Sequence, residues 1–452
     1  MKQKIILCLL CFSFLLTGCG AKEESKVVQT TNEIMLGMES EAVIEYVVPK
    51  SVPGILINQA GYDVDSGKTA IFRGENLPEK FSVYNAESKQ KVYEGEVTQK
   101  GYDEVTGEQI GYGSFDELIT PGEYYIEADI LGYSYDFTIG SEVYKELLNS
   151  NLQQFYEKMQ EKTVLDEEEI QNACEAFINM LLACELHGTA FDDEMGIKES
   201  GNGISDLIDV LYLQAELLKN QQDTVLTSEN GKLISYYAAA MAKFSYTYKD
   251  YDSVYATECL RLADTTWAYM DKNRQLADED MHFMAASELY RASGGQKYHS
   301  VIKEYGAVEE PELASREAVY GAVTYLSTKQ SVDIDLCSSF MEVLMDEAAE
   351  IAKESKNSYY QINLYKSDEE ILWDMVLFTV VDKVISNHEY DTVIENHLHY
   401  YLGRNSYAAS MIDGAGKYSY TEEEGLQSVM DGGFKESVLL LILSEINEQN
   451  VN

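Results

Sequence analysis

Residues 397–416 read His-Leu-His-Tyr-Tyr-Leu-Gly-Arg-Asn-Ser-Tyr-Ala-Ala-Ser-Met-Ile-Asp-Gly-Ala-Gly. The first six positions continue a helical pattern that begins near residue 389, and Leu402-Gly403-Arg404-Asn405 turns it into a loop carrying Tyr407. His397 and His399 read as a helix face packed inward, and no histidine follows His399.

Upstream of this stretch the helical period holds back to Tyr144. It predicts about twelve helices, at 143–160, 167–187, 203–221, 232–248, 252–272, 278–293, 296–305, 311–326, 334–354, 367–386, 389–402 and 434–447. Helix counting alone leaves a ring of helical hairpins and a helical solenoid both open. Between Gly54 and Gly140 the period is two instead. Phe81-Ser82-Val83-Tyr84 alternates, and Tyr124–Ile130 joins Tyr133–Ile139 through Leu131-Gly132 as a hairpin. Five or more such runs at short intervals predict a β-sandwich.

The stretch at 397–416 resembles the helix-then-loop signature of glycoside hydrolase family 9, the inverting cellulases. The likeness extends over roughly 54–446. Glu199-Ser200-Gly201-Asn202-Gly203-Ile204-Ser205-Asp206-Leu207-Ile208-Asp209, Ala238–Ala242 and Ala285-Ala286-Ser287-Glu288-Leu289-Tyr290-Arg291-Ala292-Ser293-Gly294 each match a family segment. Ser205 or Asp206 is positioned to cap the helix that follows. Ile55-Leu56-Ile57-Asn58-Gln59-Ala60-Gly61-Tyr62, with Pro121–Tyr125, resembles the Ig-like module that precedes many such catalytic domains. The resemblance implies an Ig-like β-sandwich at 54–140 followed by an (α/α)6 barrel at 143–446.

Inverting hydrolysis needs one carboxylic acid on the leaving oxygen and one carboxylate activating water, ~6.5–9.5 Å apart. The family's Asp-Ala-Gly-Asp base motif and its His-His-Arg motif are both absent. Aligning the neighbouring helix sets Thr163-Val164-Leu165-Asp166 opposite the base motif, which leaves Asp166 as remnant base and a hydroxyl in place of its partner. Asp166 equally suits a helix N-cap ahead of Glu167-Glu168-Glu169. Gly433-Phe434-Lys435-Glu436 opens the last helix where the family carries its acid, so Glu436 is the positional candidate. Aromatic platforms hold the glucan chain in this family. Tyr407, with Arg404 and Asn405, is the expected substrate contact, while Tyr400 and Trp373 are expected in the core.

The N-terminus points to the compartment. Lys2 and Lys4 precede the apolar run Ile5–Leu16, which is shorter than a spanning helix and laid out like a signal peptide. It ends in Leu16-Thr17-Gly18-Cys19, which looks like a bacterial lipobox with Cys19 as the lipidated residue. Residues 1–18 are then the signal peptide and 19–53 a polar tether. The protein is expected at the bacterial cell surface or envelope, anchored to the membrane by lipid. Its net charge of −44 argues against nucleic acid and anionic lipid as partners, and uncharged glycans are compatible with it.

Cys174, Cys184, Cys259 and Cys337 lie in helical patterns without metal-ligand spacing and read as free thiols. Asp192-Asp193-Glu194 has the composition of a cation site and reads as a solvated acidic loop. No cofactor and no metal ligand set is read from the sequence. The functional expectation is a catalytically impaired β-glycan (β-glucan or cellulose-like) binder. An active inverting β-glucanase using Glu436 and Asp166 is one alternative, and a protein-binding surface scaffold is another.

Overall fold

The computed structural model describes residues 52–449 apart from 105, 162–163, 308–312, 364–365, 386–387 and 419–432. The expectations for Cys19, the tether and Thr163 therefore fall outside the described residues.

Ten strands among the described residues form two sheets. In the first, β1 (Ile55–Leu56), β3 (Thr69–Gly74), β7 (Glu108–Ser114) and β6 (Thr98–Asp103) lie in that order. In the second the order is β2 (Tyr62–Asp63), β10 (Phe137–Gly140), β8 (Gly122–Ala128), β4 (Lys80–Asn85) and β5 (Lys91–Glu96), with β9 (Gly132–Tyr133) also on β8. The predicted hairpin is present in two pieces, because both β9 and β10 pair antiparallel with β8. Period two explains how one sheet serves two cores. In β3, Ala70 and Phe72 face the sandwich interior with Phe81, Ile126 and Phe137, whereas Ile71, together with Leu56 and Ile110, joins the core of the helical domain.

The helical domain pairs an outer with an inner helix six times. The pairs are α1 (Val143–Glu161) with α2 (Glu167–His187), α3 (Asp206–Lys219) with α5 (Gly231–Thr247), and α6 (Ser253–Lys272) with α7 (Glu279–Ser293). They continue with α8 (Gln296–Tyr305) and α9 (Arg316–Leu326), α10 (Ile334–Asn357) and α11 (Asp368–Ile385), then α12 (Asp391–Tyr401) and α13 (Phe434–Gln449). A single turn, α4 (Gln222–Val225), interrupts the alternation. The inner helices α2, α5, α7, α9, α11 and α13 close the ring, and the small residues Ala238, Ala239, Ala240, Ala285 and Ala286 are fully buried in it. Side-chain caps fix the helix starts: Asn230, Asp252, Asp278, Ser315 and Asp333 each accept from the first turn. Ser205 is the N-cap residue of α3, but neither candidate caps through its side chain. Asp206 is buried and accepts instead from Met195 N at 2.7 Å and Ser200 Oγ at 2.6 Å, ordering the preceding loop.

The two sequence signatures meet each other. Gln59 Nε2 donates to Ala408 O at 2.6 Å, and its Oε1 accepts from Tyr418 N at 2.8 Å and Lys417 N at 3.2 Å. Gly403 has φ +115°, and a Cβ there would stand 2.6 Å from Gln59 Nε2, so both backbone and space require glycine. Asn58 Oδ1 accepts from Ala60 N and Gly61 N, shaping the turn that carries Gln59 to the loop.

Candidate functional site

The starts of α5, α9, α11 and α13 converge on the second and third turns of α2, and Arg316 is the hub. Its Nη1 lies 3.2 Å from Glu175 Oε1 and 2.7 Å from Glu369 Oε1. The guanidinium also covers the rings of Phe434, at 4.1 Å, and Trp373, at 5.5 Å. Lys232 Nζ stands 3.6 Å from Glu317 and 5.3 Å from the Tyr236 ring. Burial raises the Glu175 carboxyl above the usual range against the pull of Lys232 and Arg316.

Two cavities flank this hub. One, of about 450 Å³, is lined by Lys158, Glu169, Glu175, Glu369 and Phe434. The other, of about 920 Å³, opens between α9, α10 and α11 and is walled by Arg316, Trp373, Lys366, Asp374, Glu342 and Glu347. Arg316 forms part of the second cavity's wall while pairing with two carboxylates of the first. Lys366 Nζ bonds both Asp374 oxygens at 2.8 and 2.9 Å, yet burial outweighs these bonds and lifts that carboxyl to about 6.

Glu436 lies in the first turn of α13 with its side chain 0% exposed, and its Oε2 is 3.1 Å from Lys158 Nζ. Ser437, its neighbour, accepts from Asn179 Nδ2 at 3.0 Å, and Asn179 Oδ1 accepts from Tyr320 OH. Asp166 is the N-cap residue of α2. It is exposed and forms a full capping box, accepting from Glu169 N at 2.9 Å while Glu169 Oε2 accepts from Asp166 N at 3.0 Å. Thirteen residues separate Asp166 from Asn179, about 20 Å along α2. Its cap partner Glu169 nevertheless lines the same cavity as Lys158 and Phe434, so it is the capping role that occupies the Asp166 carboxylate.

Arg404 and Asn405, expected as substrate contacts, are interior residues instead. Arg404 is buried, and its Nη2 bonds Asn396 Oδ1 at 2.6 Å. Asn405 is buried too and bonds Tyr400 O at 2.7 Å and Ala409 O at 2.8 Å, holding the loop shut on itself. Asn405 spends its side chain on the helix-to-loop turn, while Arg404 also reaches Thr69 O on β3 through Nη1 and keeps a buried Nε without a hydrogen-bond partner among the described residues. Tyr407 is 48% exposed, as a ligand contact must be, although it lines neither large cavity. Tyr400 is buried as expected, whereas Trp373 is only half-buried because it forms a cavity wall.

The sequence reading missed Lys158, Glu175, Arg316 and Glu369. Glu175 carried a signal, being a lone acid within the apolar run Ala173–Ala183 of an inner helix. Arg316 and Glu369 sit at helix starts, where a charge reads as solvated.

Residues 50–132 match the family model for the cellulase N-terminal Ig-like domain, and residues 145–423 match that for glycosyl hydrolase family 9, a span that stops short of Glu436. Among solved structures the chain is similar to a metagenome-derived glycoside hydrolase family 9 endoglucanase (TM-score 0.74, 18% identity), covering 87% of this chain and 98% of that one. It is similar as well to a family 9 glycoside hydrolase of Bacteroides ovatus (TM-score 0.73, 15% identity, 88% and 99% covered). A thermostable endoglucanase from Alicyclobacillus acidocaldarius gives a TM-score of 0.71 at 16% identity, with 87% and 99% covered. At these identities the likeness is one of fold. No curated protein matches the chain. With an Ig-like sandwich packed on a ring of six helical hairpins, and the family model matched over most of that ring, the chain belongs to glycosyl hydrolase family 9.

Proposed function

We propose that this family member is a lipid-anchored surface protein that holds a β-glycan with little or no hydrolysis. The carrying observation is the state of its carboxyl groups. Glu436 is buried against the Lys158 ammonium, and the Asp166 carboxylate is committed to the capping box that opens α2. Inversion requires two carboxyls facing one bond at ~6.5–9.5 Å. The same end of the barrel keeps a half-buried indole, Trp373, in the wall of a cavity of about 920 Å³, with Arg316 and acids able to bond sugar hydroxyls around it. The lipobox-like Leu16–Cys19 and the charge of −44 support a surface location and an uncharged ligand.

Trp267 is buried and Trp373 is not, so a fluorescence titration with β-glucan oligosaccharides reads Trp373. Saturable change that disappears in Trp373→Phe supports the reading. An unchanged spectrum up to millimolar ligand overturns it.

A further inference from the structure

We propose that Asp382, Asp391 and Glu445 form a calcium site that ties α11, α12 and α13 together at the far end of the barrel from the Arg316 hub. Each residue offers one carboxylate oxygen, and the three oxygens lie within 4.8 Å of one another. An ion at the centre of three oxygens so spaced lies at most about 2.8 Å from each, a small adjustment from Ca–O bonds of ~2.3–2.6 Å, whereas Mg²⁺ at ~2.1 Å requires the cluster to contract much further.

Three carboxylates alone are no site, but here they are held together with a buried Asp382 oxygen left open. Asp382 Oδ2 accepts from Tyr390 N at 3.0 Å, and the Glu389 amide also favours the charged form. Its Oδ1 is buried with no hydrogen-bond partner, although the residue is only 2% exposed. An orphaned carboxylate oxygen in the interior is costly. Glu445 is buried as well and takes one hydrogen bond, from Thr379 Oγ1. Neither Asp382 nor Glu445 is ion-paired among the described residues. Lys383, whose charge acts on Glu445, has its Nζ 3.4 Å from Glu448. His388 Nδ1 is 3.5 Å from Asp391 Oδ1, and the Glu395 carboxyl also feels the Asp391 charge.

The arrangement has a way in and a reason to exist. Asp391 opens α12 with its side chain about one-third exposed, leaving room for the water ligands that complete six to eight oxygens. The three residues come from the late part of α11, the first turn of α12 and the late part of α13. A bound ion therefore clamps the last hairpin onto the ring.

The test uses the purified full chain stripped with a chelator, then titrated with CaCl2 by calorimetry and followed by thermal unfolding. Saturable calcium binding, and an unfolding midpoint a few degrees higher with millimolar calcium, is the expected result. Both effects are lost in Asp391→Asn, a partly exposed position, and in Asp382→Asn, with circular dichroism checking that each variant keeps the wild-type helix content. No calcium heat in the wild-type chain overturns the proposal, as does an undiminished response in both variants. A response to Mg²⁺ or Zn²⁺ without one to Ca²⁺ overturns the choice of ion.

Discussion

Lys158 Nζ and Glu436 Oε2 lie 3.1 Å apart across the meeting of α1 and α13, the lysine side chain 37% exposed and the glutamate wholly buried. The asymmetry sets what each substitution does. Lys158→Met takes the ammonium away from a buried carboxylate and should destabilise the fold, by less than the ~3–5 kcal/mol of a fully buried pair because Lys158 keeps part of its hydration. Glu436→Gln leaves a neutral, isosteric group and should cost less. Urea unfolding of the two variants checks this, and a larger loss for Glu436→Gln contradicts the described pairing.

Gln59 is the clasp between sandwich and barrel. Gln59→Ala removes the partners of Ala408 O, Tyr418 N and Lys417 N, of which the buried Ala408 O, left unpaired, costs ~1–3 kcal/mol. Limited proteolysis should then cut within 403–418 before anywhere else in the barrel. Unchanged cleavage there means the loop is held by other contacts.

His397 is buried, with Nδ1 2.7 Å from Val393 O, and burial lowers its pKa from 6.5 to about 4. His399, beside Tyr144, moves in the same direction. The fold keeps these rings neutral while the unfolded chain protonates them below about pH 6.5. The stability they contribute is thus present above pH 6.5 and is lost as pH falls toward 4, about 3 kcal/mol for His397. Comparing urea midpoints at pH 7 and pH 5 should show a smaller drop in His397→Leu than in wild type. Parallel drops sink the assignment.

Trp373 and Tyr407 separate two routes to glycan contact. Trp373→Ala should weaken oligosaccharide binding about three- to tenfold, the range of one aromatic contact. Tyr407→Ala should matter less, since Tyr407 lies outside the cavity wall. The reverse ranking, measured by calorimetry, would move the ligand onto the 403–418 loop.

The helical period predicted the twelve long helices closely, because inner helices bury a whole face and their Asp, Asn and Ser caps mark the starts. The strands were harder to delimit where both faces are covered: Leu56, Ile71 and Ile110 read as apolar without revealing that they face the barrel. The site was less legible still. Arg404 and Asn405 stand out in the sequence because they build a turn, and the letters alone do not separate a buried architectural arginine from a ligand contact. Glu436 was found by position, but its partner Lys158 lies 278 residues away, and long-range ion pairs leave no local pattern.

One comparison separates a glycan-holding protein from a working cellulase. Reducing-end release from soluble β-glucan is measured alongside calorimetric binding of the same glucan, for the wild-type chain and for Glu436→Gln. Saturable binding in both, with turnover at background in both, is the expected result. Robust turnover by wild type that Glu436→Gln abolishes would contradict it and return the chain to the working cellulases.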